Sequence, residues 1–299
     1  MSLLQMSFSG AVLIIVIAVI RAVTINKLPK KTFLILWGIV LLRLLIPYSV
    51  QSAFSVYSLI SVMAEAAPVE ALPYELTPNE QTDESPQLSA KPVSPVPIGP
   101  LIWFTGMTLC TIFFAISYLH WRFEFQASIP IQNAFAEQWR KKHSTKRPVL
   151  VRQSDKISAP LTYGMFQPVI LMPKKTDWEN AEQLEYIFLH EYMHICHHDS
   201  AVKLISTLAL CIHWFNPLVW VMYVLLQRDI ELACDESVVR RLGEASKKTY
   251  ANMLIDMEAR KSGLMPLCSN FSKNAIEERI IAIMKIKKHL LLQYCYPLF

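Results

Sequence analysis

His190, Glu191 and His194 stand as His-Glu-Tyr-Met-His within residues 184–200, a spacing that suits a metal site able to activate water. On a helix, residues four apart share a face, so His190 and His194 can aim ring nitrogens at one ion. Glu191 is near enough to take a proton from a water at that ion. The HExxH pattern is short, and a core helix that happens to hold two histidines would show it too. A hydrolytic zinc further requires a third protein ligand and an open position for water.

Close behind the motif come His197, His198, Asp199 and Ser200. Ser200 fills the position where metzincins carry their third histidine. His198 lies about 12 Å along the axis from His190 at 1.5 Å per residue, and three successive turns of a straight helix cannot all reach one ion at about 2 Å. His197 and His198 therefore read as cationic or capping residues, and Asp199 as a partner for basic groups or a helix end. The stronger source is Asp229-Ile230-Glu231-Leu232-Ala233-Cys234-Asp235-Glu236. Glu231 and Asp235 share a helix face, so one carboxylate can bind the ion while the other orients a ligand histidine through its free nitrogen. A solvated acidic face would look similar, but these acids follow closely on an apolar stretch, where unpaired charge is unfavourable.

Several elements must position these groups. A helix starting near Asp177 carries Leu184, Ile187, Phe188 and the motif. Pro148-Val149-Leu150-Val151 and Val169-Ile170-Leu171-Met172 read as short strands joined through residues 158–164, and residues 131–142 as a helix. By analogy this suits a zincin-like plan, in which an edge strand aligns an extended peptide beside the metal. Residues 204–226 are apolar and long enough to span a bilayer, which would put His190 and Glu231 on opposite sides. Asn216-Pro217 breaks that stretch. The expectation is two helical arms meeting at residues 213–217, dipping into the membrane or packing on its inner face.

Composition argues against an ordinary soluble protein: 53% of residues are hydrophobic and 18% charged, with a mean hydropathy of +0.30. Runs at 3–23, 32–50 and 101–119 each approach the roughly 20 apolar residues of a spanning helix. The first lacks the basic flank and cleavage site of a signal peptide. Arg21, Lys27, Lys30 and Lys31 follow the first run, six acids and one Lys91 separate the second from the third, and Arg122, Arg140, Lys141, Lys142, Lys146 and Arg147 come after. The positive-inside rule places the N-terminus outside and everything after the third span in the cytoplasm. The net charge of +5 is then topogenic, with some contact to anionic lipid and no direct nucleic-acid binding. Residues 51–98, rich in proline and acid, read as a flexible connector. Six scattered cysteines without a CxxC pair read as reduced thiols, and Cys196 and Cys234 lack the closed ligand set of a structural zinc. The expected fold class is an α+β membrane protein. Residues 1–120 form a membrane domain with three transmembrane helices. Residues 121–275 form a mainly helical, zincin-like cytoplasmic metallopeptidase domain with a membrane-associated helical hairpin, and 276–299 a tail.

Taken together, the chain resembles the BlaR/MecR family of regulatory membrane metallopeptidases, which are bacterial antirepressors. The resemblance rests on Leu28-Pro29-Lys30, Arg43-Leu44-Leu45-Ile46-Pro47, Ala159-Pro160-Leu161-Thr162-Tyr163-Gly164-Met165-Phe166-Gln167-Pro168, residues 190–194, His213-Trp214-Phe215-Asn216-Pro217-Leu218-Val219-Trp220 and Glu231-Leu232-Ala233-Cys234-Asp235-Glu236. It implies one zinc per chain, held by His190, His194 and Glu231. Glu191 is then the general base and Asp235 an outer partner of the ligands. It also implies a multi-pass protein of the bacterial cell membrane. Its cytoplasmic substrates would be a DNA-binding repressor and the protease itself. Ser269-Asn270-Phe271-Ser272, followed by Glu278-Arg279-Ile280, resembles the family's self-cleavage segment and suggests a cut near Asn270 and Phe271. Three residues are candidates for stabilising the transition state: Tyr163, Arg240 and Tyr250.

The chain also departs from the family. It carries Cys196-His197-His198 where basic residues are usual, and it stops at Phe299 without the extracellular penicillin-binding sensor. The expectation is that the signal arrives through a separate sensor protein, or that the chain is truncated before a fourth span or is a divergent member. Lys285-Ile286-Lys287-Lys288 reads as the inner flank of such a span. Competing readings are a housekeeping membrane protease of the HtpX or CAAX-processing kind and a silent signalling scaffold. The Trp214-Phe215-Asn216-Pro217 segment weighs against the first, and the intact Glu191 against the second.

Overall fold

The apolar runs fold as helices, which satisfy their backbone polar groups internally, as a lipid environment demands. The structure is a computed structural model describing residues 2–47, 98–143, 148–262 and 269–286, without the side chains of 260–262 and 269–273. Helix α1 (Leu3–Thr24) opens on a Ser2/Gln5 capping box. Helices α2 (Lys30–Leu45) and α3 (Ile98–Gln126) follow. Of these, α1 and α3 are long and apolar enough to cross a membrane. The 16 residues of α2 span about 24 Å, short of a hydrocarbon core of about 30 Å. The connector at 51–97, the tail at 287–299, Cys268 and Cys295 lie outside the described residues.

The second part of the chain builds a small sheet and more helices. Strand β1 (Ile129–Pro130) precedes α4 (Ala134–Lys142), then β2 (Leu150–Ser154), β3 (Leu161–Tyr163) and β4 (Val169–Pro173). The sheet order is β1-β2-β4-β3, with β2 and β4 parallel and both outer strands antiparallel to their neighbours. Every residue of β4 is buried, as an unbroken apolar run requires. The strands expected near 148–151 and 169–172 thus form. The segment taken as their connection contains a third strand, β3, at the sheet edge. It ends at Gly164, whose φ of +92° favours glycine and where a Cβ would meet Gln167 O at 2.3 Å.

Helix α5 (Ala181–His197) begins at Asn180, whose side chain accepts from Gln183 N. It ends at His198 in the left-handed region, φ 58°, where α6 (Asp199–Ile212) departs at 56°. If α5 and α6 are taken as one broken span, the candidate membrane helices number three. Helix α7 (Pro217–Leu242) starts with Asn216 as its cap, and α8 (Lys247–Ser262) and α9 (Ser269–Lys285) close the described chain.

The hairpin of α6 and α7 does turn back at residues 213–216. Asn216 Nδ2 donates to Ser7 Oγ at 2.8 Å, and His213 Nε2 bonds Leu44 O at 2.9 Å. Further along α7, Asp229 meets Arg21 at the far end of α1. The helix therefore runs beside α1 for about 20 Å at 1.5 Å per residue, and the hairpin reaches nearly as far as α1 itself. Ile14, Phe33, Trp37, Leu44, Leu210, Met222 and Leu226 fill the core between them. Helix α3 has no buried side chain, which suits a lipid-facing helix. It docks where Trp103 Nε1 donates to Ile212 O at 2.9 Å, and where a Cβ on Gly106 would lie 2.2 Å from the Trp214 ring.

A second core joins Trp139, Ile170, Met172, Phe188, Tyr192, Tyr250, Leu254 and Ile283, with Ile276 and Ile280 packed against it. The chain thus continues into the same core past residue 275.

Candidate metal centre

Both motif histidines leave α5 on one face, and both are oriented from behind. The His190 Nδ1 bonds Tyr250 Oη at 2.8 Å, and that hydroxyl donates to Asp235 Oδ1 at 2.7 Å. Because the phenolic proton goes to the carboxylate, His190 Nδ1 must be the donor to Tyr250. His194 Nδ1 lies 2.6 Å from Asp199 Oδ2, and a carboxylate can only accept. On an unbroken helix, residues five apart point about 140° away from each other; the left-handed turn at His198 brings Asp199 back onto His194.

With both Nδ1 atoms protonated, both Nε2 atoms present lone pairs, and they face each other at 3.3 Å. Glu231 Oε2 adds a third acceptor, 3.7 Å from His190 Nε2 and 3.8 Å from His194 Nε2. A tetrahedral ion with ligands at about 2.0–2.2 Å sets ligand atoms roughly 3.3–3.6 Å apart. The donor set fits such an ion: two ring nitrogens and a carboxylate oxygen converge at 3.3, 3.7 and 3.8 Å, close to that spacing.

The field at this point favours positive charge. Burial disfavours a proton on His190, but Cys234 and Glu231 outweigh it and hold the imidazole up to about 10. His194 is likewise raised well above its usual value, against burial, by Cys234, Glu231 and Asp199. Burial would raise Glu231, yet His194, His190 and Arg279 hold it well below the usual carboxylate range. Arg279 closes this cluster, with Nε and Nη2 on Asp235 at 2.7 and 2.8 Å and Nη1 3.5 Å from Glu231 Oε2. Cys234 is another candidate ligand, its Sγ lying within 4.8 Å of a ring nitrogen of each histidine. Its contact with His190, however, is to Nδ1 at 3.6 Å, the nitrogen already bonded to Tyr250.

Glu191 is 4% exposed and held from the sheet, where Thr162 Oγ1 of β3 donates to its Oε2 at 2.7 Å. Thr162, His190, Glu191, His194, Glu231 and Arg279 share a cavity of about 200 Å³. Among the expected stabilisers, Tyr163 Oη reaches Phe125 O at 3.5 Å, Arg240 pairs with Glu236 at 2.6 Å, and Tyr250 stands behind His190. The expectation for the two histidines behind the motif divides: His198 occupies the helix end as a backbone cap, whereas burial and Lys31 press His197 down to about 4, against a cationic role. Asn270 and Phe271 lie in the first turn of α9, with side chains outside the described set. The roles of Thr162, Tyr250 and Arg279 carried no local signal, because their partners lie 29, 60 and 44 residues away.

The model of the BlaR1 peptidase M56 family matches residues 1–283. This chain belongs to that family. M56 is a metallopeptidase family, and this chain carries two helices long and apolar enough to cross a membrane and a cluster of His190, His194 and Cys234 that could hold an ion. Among curated proteins, the Regulatory protein BlaR1 of Bacillus licheniformis is 27% identical over 144 residues, covering 46% of this chain and 24% of that protein. The Methicillin resistance mecR1 protein of Staphylococcus aureus is 24% identical over 168 residues, covering 54% and 28%. This M56 chain thus matches about a quarter of the length of those relatives.

Proposed function

We propose that this M56 chain is a zinc endopeptidase whose ion is held by His190 Nε2, His194 Nε2 and Glu231 Oε2. The observation that carries the reading is the convergence of three acceptor atoms with both imidazoles pinned from behind. Glu231 is preferred to Cys234 as third ligand because its oxygen faces both Nε2 atoms, whereas the thiol meets the back of His190. Asp235 acts on His190 through Tyr250, and Asp199 acts on His194 directly. When bound, zinc supplies Lewis acidity toward a water and a peptide carbonyl. Glu191, steadied by Thr162, takes the proton of the attacking water and passes it to the leaving amine. The outer edge of β3, beside Glu191 and unpaired among the described residues, is the place for an extended substrate strand, as in a zincin-like plan.

The basic residues at 21–31 after the first run, with Arg122 in α3, support an outside N-terminus and a cytoplasmic peptidase domain, and three spans follow if the short α2 crosses with its flanking residues. A buried centre open to a protein strand suits regulatory cleavage of a transcriptional repressor, of the chain itself near Asn270 and Phe271, or of both. Elemental analysis of detergent-purified protein tests the site. About one zinc per chain is expected in wild type and in Glu191→Gln, and far less in Glu231→Ala. Glu191→Gln should also lose peptidase activity by about 100-fold or more. Full zinc in Glu231→Ala, with loss in Cys234→Ala, would replace the glutamate by the thiol.

A further inference from the structure

Neighbouring residues of α9 reach two different parts of the molecule. Glu278 Oε1 accepts from Arg21 Nη2 at 2.7 Å, at the inner end of α1. The same Arg21 donates Nε to Asp229 Oδ1 at 2.8 Å, so one guanidinium ties α1 to both α7 and α9. The next residue, Arg279, grips both oxygens of Asp235 and approaches Glu231. Asp229, Glu231 and Asp235 all stand on α7. Four of these groups are sheltered, with side-chain exposures of 9% for Arg21, 0% for Asp229, 1% for Asp235 and 14% for Arg279, while Glu278 at 24% and Glu231 at 31% are more open. The pairs are therefore less screened than surface ion pairs, which contribute little. A bidentate guanidinium–carboxylate pair also fixes orientation, which a single ammonium contact does not.

We propose that Glu278-Arg279 is the link through which the inner end of α1 sets the metal site, with Arg279 as a positioning residue for Glu231 and Asp235. A displacement of α1 that draws Arg21 from Glu278 leaves that carboxylate only Arg228 of α7, at 3.9 Å, and lets α9 shift on its apolar contacts. Arg279 then loosens its hold, Asp235 keeps Tyr250 and the nearby His190 Nδ1 at 3.5 Å, and the oxygen of Glu231 loses its guanidinium neighbour. The membrane helix thereby adjusts metal affinity without touching a ligand. The inference rests on the reading of Glu231 as a zinc ligand.

The test is the zinc dissociation constant of the full chain in detergent, by competition with a chromogenic chelator. Arg279→Lys should weaken zinc binding by roughly 10–100-fold. Glu278→Ala should weaken it by roughly 3–30-fold, while Glu278→Gln, which keeps an acceptor of the same reach but not the charge, falls between Glu278→Ala and wild type. Combined with Arg279→Lys, Glu278→Ala should add nothing further, since both act on one link. If Glu278→Ala cannot be purified folded, Arg21→Lys serves instead. It keeps a charge for Asp229 but cannot reach both acceptors, and the same loss is expected. A wild-type constant in Glu278→Ala or Arg21→Lys, alongside loss of zinc in Glu231→Ala, overturns the link alone. Wild-type protein without zinc, or Glu231→Ala with undiminished affinity, overturns the underlying site and the link with it.

Discussion

Asp199 and His197 lie two residues apart and illustrate opposite uses of burial. Asp199 is 2% exposed and bonds His194 Nδ1 at 2.6 Å, so it fixes both the tautomer and the angle of the ring. Asp199→Ala should weaken zinc binding by roughly 10–100-fold, read by chelator competition; an unchanged constant would remove it from the site. His197 Nε2 lies 3.3 Å from Ser237 Oγ, and its Nδ1 has no hydrogen-bond partner among the described residues. Burial, then Lys31, lowers it to about 4, while in the unfolded chain it titrates near 6.5. Between those values the unfolded state holds more protons. Its stabilising contribution is therefore full above about pH 6.5 and is lost as pH falls toward 4. Thermal unfolding of the detergent-solubilised protein should show that acid loss in wild type and less of it in His197→Asn. Equal losses would count against a buried neutral histidine. The sequence offered Asp199 as a partner for basic groups, but not His194 as that partner, because a straight helix would not have turned Asp199 back.

Among the elements, α7 carries the most consequence, since one helix lines the membrane core and supplies Glu231. Its junction is a sheltered polar cluster: Asp229 Oδ1 takes Arg21 and Oδ2 takes Trp37 Nε1 at 2.7 Å. One turn and more along, Glu236 Oε2 accepts from the backbone N–H of Lys30 at 2.6 Å and so caps α2 from another helix. Removing one member of a buried pair leaves an uncompensated charge. Asp229→Ala should therefore destabilise the protein by roughly 3–5 kcal/mol, whereas Asp229→Asn keeps an acceptor for Trp37 and loses less. Unfolding midpoints in detergent would check this, and an Asp229→Ala midpoint equal to wild type would show that the cluster holds nothing together. The hydropathy of α6 and α7 and the break at Asn216-Pro217 announced the two arms. Their depth beside α1 depended on contacts to Ser7 and Leu44 that no local pattern announces.

At the scale of the whole molecule, the basic residues after α1, Arg122 in α3 and the place of the proposed metal centre beyond Arg21 support one proposed orientation, which labelling tests. In a variant keeping only the exposed Cys196, a membrane-impermeant maleimide should label the protein only after lysis. A Ser85→Cys variant in the connector should label in intact cells. The reverse pattern would invert the orientation. By itself, the sequence determined the family, the membrane character, the helix that carries the two histidines and the strands before it. Hydropathy, helical spacing and strand alternation are properties of neighbouring residues, so they survive without a fold. Only the tertiary structure decided that β3 is an edge strand holding Glu191, that Tyr250 stands between His190 and Asp235, and that α9 sets Glu278 on Arg21 of α1 and Arg279 on Asp235. Those arrangements bring together side chains distant in the chain, and a linear pattern records which residues are present but not which of them meet.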